Sequence, residues 1–238
     1  MSGQIAAYRV GSLPPAVSAA ARSLHKAVFG DGDGYLDRLF AAGADGTYLC
    51  VEADGGVASG CFLFDATLLS GGEAFRGLYL FALCTAEEQR GRGYAHALLA
   101  AAKDAAHDFL LLCPADRGLA RFYRREGFTR AFDGCTPVGG TPDSEAPRGF
   151  SPCGYDGALS AARAHGGLLL DRPLFELSLA ECGALPLADG DRFAAVGSGS
   201  LYAAIGVTPA RPVRDKALAC LKKDIDTDGI FADLLLEV

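Results

Sequence analysis

The stretch Leu83-Cys84-Thr85-Ala86-Glu87-Glu88-Gln89-Arg90-Gly91-Arg92-Gly93-Tyr94-Ala95-His96 holds the residues best suited to chemistry. An apolar run before it reads as a strand, two glycines make a short turn, and an Ala/Leu-rich helix follows. A helix that starts at such a turn leaves its first N–H groups without intrahelical partners, and the positive end of its dipole lies beside them. That combination binds anions, phosphates above all. Gly91 and Gly93 let the main chain approach a phosphate closely, and Arg90 and Arg92 add charge around the same spot. The spacing Gly91-x-Gly93 lacks the third glycine of the dinucleotide fingerprint, and it follows hairpins instead of opening a βαβ unit. The Gly-Lys-Ser/Thr of a Walker loop is absent. Among nucleotides, dinucleotides and coenzyme A, the pyrophosphate of coenzyme A remains.

Nucleophiles and metal ligands are less visible. The cysteines are Cys50, Cys61, Cys84, Cys113, Cys135, Cys153, Cys182 and Cys220. They form no C-x-x-C pair and no His cluster with metal spacing, so no metal site is expected. Most sit inside apolar runs, where Cys behaves as a small buried hydrophobe, and reduced thiols are expected. Cys84 could carry an acyl group, but no His or Asp stands at a suitable spacing to activate it. His25, His107 and His165 have no visible partners and are expected to be structural or exposed. Glu87 and Glu88 are close in sequence to the turn, with a solvated role expected. No general base is legible, and a water chain could serve.

The elements that must position this turn follow from hydrophobic period and punctuation. A first strand is expected at 5–10, a helix from 16 to 29 that Gly30 stops, and a short helix over YLDRLFAAG. Three strands follow, at 47–54, 57–69 and 74–85, separated by Asp54-Gly55-Gly56 and Ser70-Gly71-Gly72. A helix is expected at 93–107, a buried strand at 108–114, a helix at 116–125 and a strand at 128–132. Residues 133–154 are rich in Gly, Pro, Ser and Asp and read as a linker. Beyond it, helices are expected near 155–165, 173–182 and 214–224. Strands are expected near 183–188, 192–197, 201–207 and 229–237. The fold class is α/β (α+β): a mixed, mostly antiparallel sheet flanked by helices, plus a smaller α/β C-terminal region.

With these residues in place, a resemblance can be stated. Arg90-x-x-Gly93-x-Ala95 between a strand and a helix resembles the R/Q-x-x-G-x-G/A motif of the GNAT N-acetyltransferases. Tyr123-x-x-x-Gly127-Phe128, in ARFYRREGF, is similar to the Tyr-x-x-x-Gly-Phe signature of that family's last core helix. The β-α-α-β-β-β-α-β-α order matches as well, over residues 4–132. The resemblance implies acetyl-CoA as donor and direct transfer to a primary amine in a ternary complex. It implies that Leu83, Cys84 and Thr85 offer backbone amides to the thioester. Gly91, Arg92, Gly93, Tyr94, Ala95 and His96 would bind the pyrophosphate beside Arg90. Tyr123 would stand beside the sulfur, able to protonate it or to hold it by a hydrogen bond. Asp116 falls where the family often has a cofactor contact, usually Asn. Some two-part relatives carry an incomplete second half after the catalytic one, and the expected division is 1–134, a linker at 135–154 and an extension at 155–238. No second motif appears beyond residue 155, so that half is not expected to bind acetyl-CoA. Some larger relatives bring a C-terminal carboxylate to the catalytic centre, a role that Val238 would fill. A homodimer stays open.

Composition bounds the alternatives. The 238 residues are 50% apolar and 21% charged, close to globular averages, so global disorder is not expected. A net charge of −7 gives no field for a polyanion, which disfavours nucleic acid and anionic membranes and mildly favours cationic acceptors. The apolar runs are shorter than the roughly 20 residues of a membrane span, and no signal peptide is visible, so a cytoplasmic protein is expected. Two rivals remain: an inactive acyl-CoA-binding sensor or scaffold, and a nucleotide-binding module using the same glycine turn.

Overall fold

The computed structural model describes residues 3–135, 147–198, 200–207, 209 and 212–232. The chain begins with strand β1 (Gln4–Arg9), helix α1 (Pro15–Phe29) and helix α2 (Asp33–Ala42). Pro15 stands in the first turn of α1, where a missing N–H costs nothing, and Gly30 ends the helix in the left-handed region. Strands β2 (Thr47–Ala53), β3 (Gly56–Ser70) and β4 (Glu73–Thr85) form a meander. Its two-residue turns, Asp54-Gly55 and Gly71-Gly72, have positive φ at both positions, the backbone that matches the twist of a hairpin. Helix α3 (Tyr94–Ala105), strand β5 (Phe109–Leu112), helix α4 (Arg117–Arg125) and strand β6 (Arg130–Gly134) follow.

The first sheet runs β1-β2-β3-β4-β5 and is antiparallel except for β4 and β5, which are parallel. Period-two alternation sends side chains to opposite faces. Tyr48, Cys50, Phe62 and Phe64 pack with Leu36 and Leu39 of α2. Leu49, Val51, Cys61 and Leu63 pack with Leu98, Leu99 and Ala102 of α3. Each large side chain buried this way stabilises the fold by about 1.5–3 kcal/mol.

Beyond the linker come strand β7 (Ser151–Pro152), helix α5 (Tyr155–His165), strand β8 (Gly167–Leu170), helix α6 (Arg172–Cys182) and strands β9 (Leu185–Asp189), β10 (Arg192–Gly197) and β11 (Ser200–Ile205). β7, β9, β10 and β11 make a second, antiparallel sheet in the order β11-β10-β9-β7. Phe175 and Leu179 of α6 and three alanines of α5 pack on its Phe193, Ala203 and Ile205. Setting aside β8, which joins the first sheet, a strand, two helices and three strands, with the first strand beside the second, repeat the architecture of β1 to β4.

Two strands from the C-terminal stretch join the first sheet. β8, which the hydrophobic pattern left unassigned, pairs with Ala66–Leu69 of β3, continuing the edge that β2 covers up to Leu63. The expected helix at 214–224 is instead strand β12 (Val213–Leu221), lying between β5 and β6 and antiparallel to both. Ala and Leu favour a helix locally, but Ala217, Leu218 and Ala219 are wholly buried with a strand on each side. That tertiary pairing overrides propensity. The expected linker thus marks a change in composition, and the sheet crosses it. Most of that linker (136–146), most of the strand expected at 229–237, and Val238 lie outside the described residues.

Candidate active site

The site begins with a break in β4. Its register with β3 shifts between the pairs Phe62↔Phe81 and Gly60↔Cys84, and Ala82 takes a φ of 54°. Two residues of β4 therefore face one of β3, a bulge that re-aims the strand end. β5 pairs with β4 only at Gly77, Leu78 and Tyr79. From Leu80 to Thr85, no described strand covers the side of β4 away from β3. Its backbone groups there are open to a ligand. The strand end is held from behind: the Ser59 hydroxyl donates to the Cys84 carbonyl at 2.7 Å and lies 2.9 Å from the Thr85 hydroxyl. Ser59 is fully buried, and no feature of the sequence singled it out.

The strand feeds a turn in which Gly91 and Gly93 both have positive φ, 75° and 82°. Gly93 caps α3, and the first intrahelical bond runs from the Ala97 N–H to the Gly93 carbonyl. The N–H groups of Tyr94, Ala95 and His96 are thus left for a ligand. A Cβ built on either glycine meets no atom within 4 Å, so the left-handed backbone, not crowding by protein, requires glycine here. Arg90 and Arg92 are exposed and, among the described residues, form no ion pair.

Across the gap, α4 presents Leu119, Phe122 and Tyr123. Tyr123 is 7% exposed, and burial raises its pKa, so the phenol keeps its proton throughout the working range. Its ring packs edge-on against Phe122 and Phe128. Burial also pushes the Cys84 thiol up to about 12, against a hydrogen bond from its sulfur to the Gly60 carbonyl at 3.7 Å.

These pieces enclose a cleft of about 560 Å³. Of the residues expected from the sequence, Leu83, Cys84, Thr85, Arg90, Gly91, Gly93, Tyr94, Ala95, His96 and Tyr123 line it. Two do not. Arg92 points to solvent, and Asp116 is the N-cap of α4, its Oδ1 accepting from the Leu119 N–H at 2.8 Å. His96 lines the cleft with a half-committed side chain, its Nδ1 2.9 Å from Glu126 Oε1. Gln89, Leu119 and Phe122 line it without having been expected, and Val28 and Phe29 of α1 line it too. Leu119 and Phe122 share a helix face with Tyr123 and could have been read from that spacing. Val28 and Phe29 reach the cleft only through tertiary packing.

Behind Phe29 lies His25, fully buried, with both ring nitrogens unpartnered. It sits among Phe29, Tyr48 and Phe62, and burial lowers its pKa to about 4. The Tyr48 hydroxyl is buried without a partner as well, against Gly60, where a Cβ would come within 2.2 Å of it. Among the described residues no group of three or more His, Cys, Asp or Glu could hold a metal, and no helix is long and apolar enough to cross a membrane.

Residues 44–130, which run from just before β2 to the start of β6, match the family model described as the acetyltransferase (GNAT) domain. Among solved structures, the chain is similar to a GCN5-related N-acetyltransferase from Anabaena variabilis, with 15% identity, a TM-score of 0.58, and coverage of 91% of this chain and 72% of that one. A GCN5-related N-acetyltransferase from Kribbella flavida shows 13% identity and a TM-score of 0.55, covering 94% and 69%. Eis1 from Mycobacterium abscessus shows 14% identity and a TM-score of 0.54, covering 92% and 73%. At these identities the likeness is one of fold, and it extends over both sheets. No curated protein matches the sequence.

Proposed function

Because residues 44–130 match the family model of the acetyltransferase (GNAT) domain, we propose that the protein transfers an acetyl group from acetyl-CoA to a primary amine by direct attack in a ternary complex. One observation carries this: an anion-binding helix start, an open strand edge and a buried phenol meet in a single cleft. The main-chain N–H groups at the start of α3 would hold the pyrophosphate, with Arg90 beside them. The thioester would lie along the open edge of β4, where backbone N–H groups from Leu83 to Thr85 meet its carbonyl oxygen. Donors placed for a developing oxyanion are worth about 10²–10³ in rate each. The Tyr123 phenol would face the departing sulfur. With a raised pKa it acts as a hydrogen-bond donor to the thiolate more readily than as a full proton donor. Cys84 is a poor covalent carrier, since a thiol pushed up to about 12 is almost wholly protonated at neutral pH. The setting proposed is cytoplasmic, with Cys50, Cys61 and Cys84 buried as thiols.

Calorimetry with acetyl-CoA, NAD and ATP tests the cleft. Acetyl-CoA should bind and the other two should not. Gly93→Val forces a β-branched residue into the left-handed region and disturbs the helix start, so acetyl-CoA affinity should fall at least tenfold. Unchanged affinity in Gly93→Val would remove this turn from the binding site. Tight binding of ATP or NAD alone would favour a nucleotide module. Acetyl-CoA binding without release of free CoA thiol in the presence of any amine would favour a sensor.

A further inference from the structure

Ser59 lies in β3, fully buried, with β2 on one side and β4 on the other. Its cross-strand partner in β4 is Thr85, one of the residues that line the cleft. The Ala86 N–H meets the Ala58 carbonyl across the two strands at 2.9 Å. That bond makes Ser59 and Thr85 a non-hydrogen-bonded pair, the kind whose side chains stand closest together. Alternation along β4 then turns the Cys84 carbonyl towards β3, and the Thr85 N–H away from β3 to the open edge. A hydroxyl has one proton to give. Ser59 gives its proton to the Cys84 carbonyl at 2.7 Å. In its 2.9 Å contact with the Thr85 hydroxyl it therefore accepts, and Thr85 is the donor. The Cys84 carbonyl and the Thr85 N–H belong to one peptide unit, planar and trans, so they point in opposite directions. A chain thus runs from the Thr85 hydroxyl through the Ser59 hydroxyl to the Cys84 carbonyl, and leaves the sheet as the Thr85 N–H. Each hydrogen bond in such a chain polarises the next. The ladder between β3 and β4 closes without a side-chain hydroxyl, and burying one costs desolvation that an alanine would avoid.

Resting on the acetyltransferase reading above, we infer that Ser59 is a positioning residue for the transfer. It fixes the plane of the peptide between Cys84 and Thr85, and it strengthens the Thr85 N–H as a donor to the thioester carbonyl oxygen. That oxygen turns negative as the amine attacks, and a donor already aimed and polarised needs no rearrangement at that moment. The Thr85 hydroxyl starts the chain, so the side chain of Thr85 acts on its own amide by way of Ser59.

Infrared difference spectra of acetyl-CoA carrying a carbon-13 label at the thioester carbonyl read this donor directly, with no acceptor needed. Hydrogen bonding lowers a carbonyl stretching frequency, so the label should absorb lower when bound to the wild-type chain than when free. In Ser59→Ala the band should return at least half of the way to its free position. Thr85→Val keeps the side-chain shape and loses only the start of the chain, so there the band should return a smaller part of the way. Calorimetry should find acetyl-CoA bound to both variants within about threefold of wild type. A merely structural defect would lower the affinity and leave the band of the bound fraction in place. A wild-type band at the free position, a band that Ser59→Ala leaves unmoved, or loss of acetyl-CoA binding in that variant would overturn the inference and leave the transferase reading standing. Wild type that does not bind acetyl-CoA would bring down that reading, and the role of Ser59 with it.

Discussion

A buried phenol that keeps its proton at every working pH suits one task at Tyr123: donating a hydrogen bond to a sulfur that becomes negative as it leaves. The ground-state thioester makes little use of that donor. Tyr123→Phe keeps the ring among Phe122 and Phe128, so acetyl-CoA affinity should stay within a few-fold while turnover falls at least tenfold. Steady-state kinetics beside calorimetry checks this, and weakened binding with intact turnover would make Tyr123 a packing residue. Tyr123, the glycine turn and Leu83 to Thr85 line one cleft, and their positions were legible because the motifs that carry the family resemblance are short spacings along the chain; their roles are what that resemblance implies. Asp116 caps α4 and does not line the cleft, since its position before a helix fits a cap as well as a ligand contact. The place of Val28 and Phe29 comes from tertiary packing: the fold carries the end of α1 to a strand more than 50 residues away in sequence, where Cys84 sits.

Elements show the same division between local and tertiary information. The hairpins of β2, β3 and β4 were legible from Asp54-Gly55 and Ser70-Gly71-Gly72, since positive φ at paired turn residues is a local demand. The bulge at Ala82 was not, because nothing in LFALCT requires it and an Ala at φ 54° is tolerated only by its surroundings. β12 was read as a helix because Asp-Lys-Ala-Leu-Ala-Cys-Leu has helical propensity, and its two neighbouring strands are not visible in the sequence. Its place between β5 and β6 gives a sharp expectation. Ending the chain after Gly206 removes β12, uncovers the edges of both neighbours and empties the positions of Ala217, Leu218 and Ala219. Such a truncation should precipitate or melt well below the full chain in a thermal scan. An unchanged melting temperature with full activity would show β12 to be dispensable.

At the scale of the molecule, one architecture is used twice. The second sheet repeats the strand–helix–helix–strand meander of the first, and α5 and α6 cover it. Only the first copy continues into the glycine turn and a helix that could bind a phosphate; after β11 the chain returns to the first sheet as β12. On the proposed reading the first half binds and reacts, and the second completes the first sheet with β8 and β12. The acidic balance of the whole chain suits a cationic amine and opposes a polyanion.

Direct attack in a ternary complex is tested most directly by weighing protein and small molecules together after incubation with acetyl-CoA, with and without a panel of primary amines. With the panel, mass spectrometry should find one or more N-acetylated amines and free CoA in equal amounts, and the protein at its unmodified mass. Without amines, the protein should again be unmodified and acetyl-CoA intact. An acetyl group found on the protein in the absence of acceptor, on Cys84 above all, would contradict direct transfer. Unreacted acetyl-CoA in the presence of the whole panel would contradict the transferase itself.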